Sequence, residues 1–229
     1  MLAFHNRSGS NLLAESLRST PHFTGFGEQL IDTKIESISQ RWKLKSFPDY
    51  VQRVSKVAEK AQQPGGPMPC HGFKASWAQL IMLLRFRIDR MYPSVRVIHL
   101  TRDDKVGQAV SHSIAFQTKQ WTSSAGQAVK EPEFNGNQIE AVLRAIVHSE
   151  QVIPLVCSIT DIPRHGVTYE QLVADPVAVM AGIGSFIGKD LSGWTPAESS
   201  LRKQRTALND EFREKFLAYY ADRLRISQT

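Results

Sequence analysis

Residues 5–11, His5-Asn6-Arg7-Ser8-Gly9-Ser10-Asn11, combine a guanidinium, two hydroxyls and a glycine in one short stretch. They follow a short apolar run, Leu2 to Phe4, and precede an apolar-periodic run with Leu12, Leu13 and Leu17. A loop between a strand and a helix presents backbone N–H groups and the positive end of a helix dipole, a setting that favours an anion. Gly9 allows a tight curl around an oxyanion, Ser8 and Ser10 add donors, and Arg7 adds a permanent forked charge. The same composition also suits a Ser/Gly turn that only caps a helix. The Gly-x4-Gly-Lys-Ser/Thr pattern of kinases and ATPases is absent from this loop.

A second pairing lies further along. Arg102 ends the clearest strand, and Ser111 sits on the helix that follows. The two can close around one ligand group. Alternatively, Arg102 forms a surface ion pair with Asp103 or Asp104, and Ser111 packs in mid-helix. Glu28 follows Gly25 and Gly27. A carboxylate there can accept a proton from an attacking hydroxyl, or it can sit in the first turn of a helix, where the dipole favours it. The latter is the simpler reading from the residues alone. His5, His71 and His99 are rival bases, with His99 the one whose strand alternation points to the core. Lys74 and Trp77 could approach a ligand or pack as a covered stem and a buried ring.

The elements that must carry these residues alternate in type. Strands are expected at 2–4, 72–75, 95–100 and 165–169, and helices from 12, over 48–60, 78–91, from 105, over 138–156, after Asp175-Pro176 and over 209–224. Residues 63–67 and 122–137 read as loops. Alternation of this kind implies an α/β fold, a central parallel sheet flanked by helices, with ligands at the carboxyl ends of the strands. No internal repeat or interdomain linker is visible, so one domain over residues 1–229 is expected.

Composition narrows the partner. The net charge of +6 and pI near 9.4 suit an anionic ligand. The Lys and Arg residues are dispersed, which fits a nucleotide in a cleft better than a nucleic acid. The two cysteines, Cys70 and Cys157, lie far apart in apolar stretches and suggest small core residues in a reducing compartment, with no metal site. Residues 1–4 are too short for a signal peptide, and no stretch reads as a membrane span. A cytoplasmic protein is expected.

Taken in order along the chain, the stretches form a known set. They are Arg7-Ser8-Gly9-Ser10 with Leu12-Leu13, Gly25 to Glu28, Phe73-Lys74-x-x-Trp77-x-Gln79, Val97 to Asp103, Gln108 to Ser111, Gln117-Thr118-x-x-Trp121, Thr168-Tyr169-Glu170 with Asp175-Pro176, and Leu201 to Gln204. This set resembles the bacterial sulfotransferases that use 3′-phosphoadenosine-5′-phosphosulfate (PAPS), the group that includes trehalose 2-sulfotransferase, and it covers nearly the whole chain.

The resemblance implies the P-loop nucleotide-kinase-like sulfotransferase fold, with Arg7, Ser8, Gly9, Ser10 and Asn11 on the 5′-phosphosulfate and Arg102 and Ser111 on the 3′-phosphate. It implies Glu28 as general base, Arg7 as stabiliser of the transferred group, and a segment with Arg202 and Gln204 closing over the nucleotide. It further implies a carbohydrate or glycolipid acceptor, no metal, and a homodimer whose acceptor and subunit surfaces lie near Gln117, Thr118 and Trp121. The chain departs from the pattern in four places. Its first strand is short, Asn11 stands where Thr or Ser is usual, Arg205-Thr206 replaces a more typical Ala-Asp, and Gly25 replaces the acidic residue of the trehalose enzyme. A nucleotide kinase and a non-catalytic polyanion-binding module are the alternatives to this reading.

Overall fold

A computed structural model describes residues 1–60, 69–121, 129–196 and 206–226. Its centre is a parallel sheet of four strands: β1 (Leu2–Phe4), β4 (Lys74–Ala75), β5 (Val97–Thr101) and β6 (Arg164–Thr168), in the order β4-β1-β5-β6. A second parallel pair joins β2 (Phe23–Gly25) to β3 (Cys70–Gly72). Short β1 suffices because it lies between two neighbours, with Ala3 opposite Ala75 on one side and His99 on the other. All three of its residues are apolar and buried, as a strand covered on both faces requires.

The strand expected over 72–75 is divided. Gly72 ends β3 in the small sheet, Lys74 begins β4 in the large one, and Phe73 bridges them by accepting a hydrogen bond from Leu2 N at 2.8 Å. The chain thus changes sheets within one residue, a tertiary choice that alternation cannot reveal. Gly25, at φ +85, closes β2 where an added Cβ would lie 2.4 Å from the Gly72 carbonyl oxygen.

The helices are α1 (Ser10–Arg18), α2 (Asp32–Trp42), α3 (Phe47–Lys60), α4 (Trp77–Arg85), α5 (Lys105–Thr118), α6 (Gly136–Ile159), α7 (Tyr169–Ala174), α8 (Pro176–Ile187) and α9 (Ala207–Ile226). The helix expected over 78–91 stops early. Ser76 and Gln79 form a reciprocal capping box that starts α4, and the chain leaves the helix at Phe86 and Arg87, the latter at φ +57, before a 3₁₀ turn, Ile88–Met91. The sequence leads to no expectation of β2, which is three residues long, of α2, which buries no side chain, or of the six-residue α7, whose first residue, Tyr169, falls in an expected strand.

Helix α6 is long and apolar enough, by length and composition, to cross a membrane, contrary to the sequence reading. Here Ile139, Ile146, Ile153 and Cys157 recur at helical spacing and are buried, so one stripe of α6 serves the core. Packed between α1, α8 and the sheet, the main apolar cluster holds Leu2, Leu13, Leu17, Ile98, Leu100 and Val167. Leu100 sits in it two residues before Arg102 and is almost fully buried. Leu100→Ala should therefore lower the unfolding free energy by about 2–5 kcal/mol. Urea denaturation at unchanged m-value is the check; a loss below about 1 kcal/mol would show that β5 is not at the centre of the core.

Candidate active site

Four parallel strands run the same way, and of the residues singled out above Arg7, Gly9, Ser10, Asn11, Glu28, Lys74, Arg102, Ser111 and Trp121 line one cavity of about 770 Å³. The loop leaving β1 enters α1 through two left-handed residues, Arg7 at φ +66 and Gly9 at φ +86. Gly9 is required twice: its φ is one that L-residues seldom adopt, and a Cβ would come within 2.4 Å of the Tyr169 ring. Gly9 is also the N-cap of α1 and supplies no side-chain cap, so the first turn of the helix opens toward the cavity, which Gly9, Ser10, Asn11 and Leu12 line. Ser8 is buried, and its Oγ has no hydrogen-bond partner. An unsatisfied buried hydroxyl is costly, and beside an open helix end it is suited to donating to a ligand oxygen.

Arg7 is pinned by three contacts. Its Nε donates to Ser111 Oγ at 2.9 Å, its Nη1 to the Trp121 carbonyl at 2.9 Å, and its own carbonyl accepts from Arg102 Nη1 at 3.4 Å. Ser111 thus contacts the Arg7 side chain and Arg102 the Arg7 backbone, and all three line the cavity. Burial, and then the neighbouring Arg102 guanidinium, depress the Arg7 pKa below its usual value. Two guanidiniums held this close gain from an anion between or beside them. Arg102 lies over the Tyr169 ring, 5.0 Å from its centroid, and reaches Asp104 at 3.7 Å and Glu170 at 4.0 Å. The expected surface ion pair is thus present in part, with Asp104. Yet Arg102 Nε is buried and lacks a hydrogen bond, which leaves a donor for a ligand.

On the other side of the loop stands Lys74, only 3% exposed. Its Nζ donates to Asn11 Oδ1 and, at 2.8 Å, to Glu28 Oε1. Burial lowers the Lys74 pKa, and the bond to Glu28 opposes that shift. Glu28 is not in a helix: it precedes α2 in an irregular segment, and its side chain keeps 47% of its exposure. The dipole explanation for this carboxylate therefore falls, because no helix begins at Glu28.

The histidines stand apart from the cavity wall. Burial lowers His71 and His99 to about 4 and also lowers His5. His71 packs edge-on to Phe73, His99 is buried in β5, and His5 meets His112 at a tilted angle, ring centroids 5.4 Å apart. Trp77 packs against His148 and joins a core cluster, so its ring does not line the cavity. Gln117 bonds the Glu133 backbone, and Thr118 bonds the Ile114 carbonyl, while Trp121 does reach the cavity. Arg202 and Gln204 lie outside the described residues.

Sequence reasoning passed over Tyr169, which packs on both Gly9 and Arg102, and Gln108, whose Nε2 ties α5 to the Asn6 carbonyl at 2.9 Å. Both occur in stretches quoted above, but nothing in their spacing reveals the contacts. Among the described residues no cluster of three or more His, Cys, Asp or Glu side chains is placed to hold a metal ion.

Comparison with known proteins bears on this arrangement. In overall shape the chain is similar to a sulfotransferase from Alicyclobacillus acidocaldarius, at 12% identity and a TM-score of 0.54, over 96% of this chain and 91% of that one. It is also similar to sulfotransferase STF9 from Mycobacterium avium, at 12% identity and a TM-score of 0.52, over 96% of this chain and 67% of that one. At such identities the likeness is one of fold, a parallel sheet flanked by helices. No curated protein matches the chain in sequence. The model of a sequence family, however, matches residues 1–219, and through it this chain belongs to the Stf0 sulphotransferase family.

Proposed function

We propose that the protein transfers the sulfuryl group of PAPS to a hydroxyl of a carbohydrate or glycolipid acceptor. The observation that carries the proposal is the convergence on one cavity of the β1–α1 loop, Arg7, Arg102 and Lys74, with the Glu28 carboxylate 2.8 Å from the Lys74 ammonium. The donor's chemistry fits these groups. The Ser8 hydroxyl and Arg102 Nε, neither of them hydrogen-bonded, are buried donors that an anionic nucleotide would satisfy.

In this reading PAPS supplies an electrophilic sulfur and a phosphate leaving group. Arg7, Ser8, Ser10, Asn11 and the loop amides at Gly9 hold the 5′-phosphosulfate, and Arg7 counters charge on the group in transfer. Arg102 and Ser111 hold the 3′-phosphate. The bond from the acceptor oxygen to sulfur forms as the bond from sulfur to the 5′-phosphate oxygen breaks, giving a sulfate ester and adenosine 3′,5′-bisphosphate. The acceptor's proton goes to Glu28. Lys74 occupies one oxygen of that carboxylate, Oε1, and the second is left to take the proton. As in phosphoryl transfer, rate comes from positioning and charge. The chain's two free cysteines agree with a cytoplasmic setting. Arg202 and Gln204 remain part of the proposal as groups that close over the nucleotide.

Two experiments test it. Glu28→Gln keeps the shape and an acceptor oxygen for Lys74 but cannot take a proton. It should leave affinity for adenosine 3′,5′-bisphosphate nearly intact and lower kcat by roughly 10²–10⁴-fold. Near-wild-type turnover would remove Glu28 as the base. In the second, calorimetry on the unmodified protein should show tighter binding of adenosine 3′,5′-bisphosphate than of ADP. Arg102→Ala should erase most of that preference, at about 1.5–3 kcal/mol for a contact to a charged group. Equal binding of the two nucleotides by the wild type would overturn the 3′-phosphate assignment.

A further inference from the structure

Helix α9 brings to the cavity a cation that no motif announced. Phe212 and Phe216 on this helix are buried against Ala109, Val110, Ile139 and Ile146 of α5 and α6. That anchoring fixes which way the helix faces, and Asn209 and Arg213, one turn apart, line the cavity. Arg213 Nη1 contacts Asp104 Oδ1, while Arg102 Nη2 lies 3.7 Å from the other oxygen of the same carboxylate. Asp104 is itself fixed: as N-cap of α5 it accepts from Gly107 N at 3.0 Å, and its own N–H points to Glu170 Oε1 at 3.4 Å. One rigid carboxylate therefore spaces two guanidiniums at the same end of the cavity. Asp104, Gly107 and Ser111 recur at helical spacing along α5, and all three line the cavity, so Arg213 stands at the end of the wall that also carries Ser111.

We infer that Arg213 is a specificity-determining residue for the nucleotide's 3′-phosphate, acting beside Arg102 with Asp104 as the strut that aims both. The inference rests on the PAPS reading above. A phosphate dianion is met by two guanidinium forks better than by one, because each fork offers paired N–H donors and Asp104 engages only part of each. The Arg213 side chain is 36% exposed in its present contact, which leaves it room to turn from Asp104 toward a ligand. A bare structural role makes a different demand: a strap from α9 to α5 would affect stability and every ligand alike.

The test is titration calorimetry of the full chain with adenosine 3′,5′-bisphosphate and with ADP, for the wild type, Arg213→Ala and Arg213→Lys. Arg213→Ala should weaken the bisphosphate about ten-fold or more and leave ADP within about two-fold, since a contact to a charged group is worth roughly 1.5–3 kcal/mol. Arg213→Lys, which keeps the charge and loses the fork, should fall between the two and serves in its place if the alanine variant does not fold. An undiminished preference in either folded variant, or an equal loss for both nucleotides, overturns the inference while leaving the PAPS reading in place. A wild type that binds the two nucleotides equally overturns the reading and the inference together.

Discussion

Burying the Lys74 ammonium is the constraint around which the site is arranged. A charge taken out of water costs several kcal/mol unless it is paired and hydrogen-bonded. From the first residue of β4 the ammonium reaches two oxygens, Asn11 Oδ1 on α1 and Glu28 Oε1 before α2, and lies 4.9 Å from the centroid of the Phe4 ring. Those contacts tie the edge of the sheet, the end of its central strand, the anion loop and the acidic segment to one point. Loss of any one partner leaves the others with an unbalanced buried group, so the geometry is held cooperatively.

Around that point the charges are separated by role. Lys74 and Glu28 form one pair on the β4 side of the loop, and Arg7, Arg102 and Asp104 form a second cluster on the β5 side. The loop lies between them, and its open helix end faces the cavity. The layout keeps the Glu28 carboxylate on one side of the loop and the two guanidiniums of Arg7 and Arg102 on the other. Rigidity matters as much as charge. Arg7 is fixed by Ser111 and Trp121, and Gln108 fixes the loop backbone at Asn6. Groups that are already placed need no reorganisation when charge develops on a ligand.

The parallel sheet gives this layout its economy of means. Because β1, β5 and β6 run the same way, residues far apart in the chain, such as Arg7, Arg102 and Tyr169, follow the ends of their strands on one edge. Helices α5 and α9 extend the wall beyond that edge, and their mutual packing through Phe212 and Phe216 sets the reach of Arg213.

Much of this was legible in the residues themselves. Apolar runs bounded by Gly and polar turns marked β1, β5 and β6, and helical spacing marked α1, α3, α5, α6 and α9, because burial of one face imposes a period that survives in sequence. The loop at Arg7 to Asn11 stood out because a strand-to-helix loop rich in Ser, Gly and Arg suits an anion, and the structure puts most of it on the cavity wall with Arg102 and Ser111. What sequence left open was settled by long-range contacts. Glu28 could have begun a helix, Lys74 could have been a covered stem, and Trp77 could have faced a ligand; only tertiary packing puts the first two together and sends the third to His148. The division of residues 72–75 between two sheets, the early end of α4 and the meeting of Asp104 with Arg213 likewise depend on neighbours distant in the chain. Local periodicity records which face of an element is buried, and says nothing of which other element buries it.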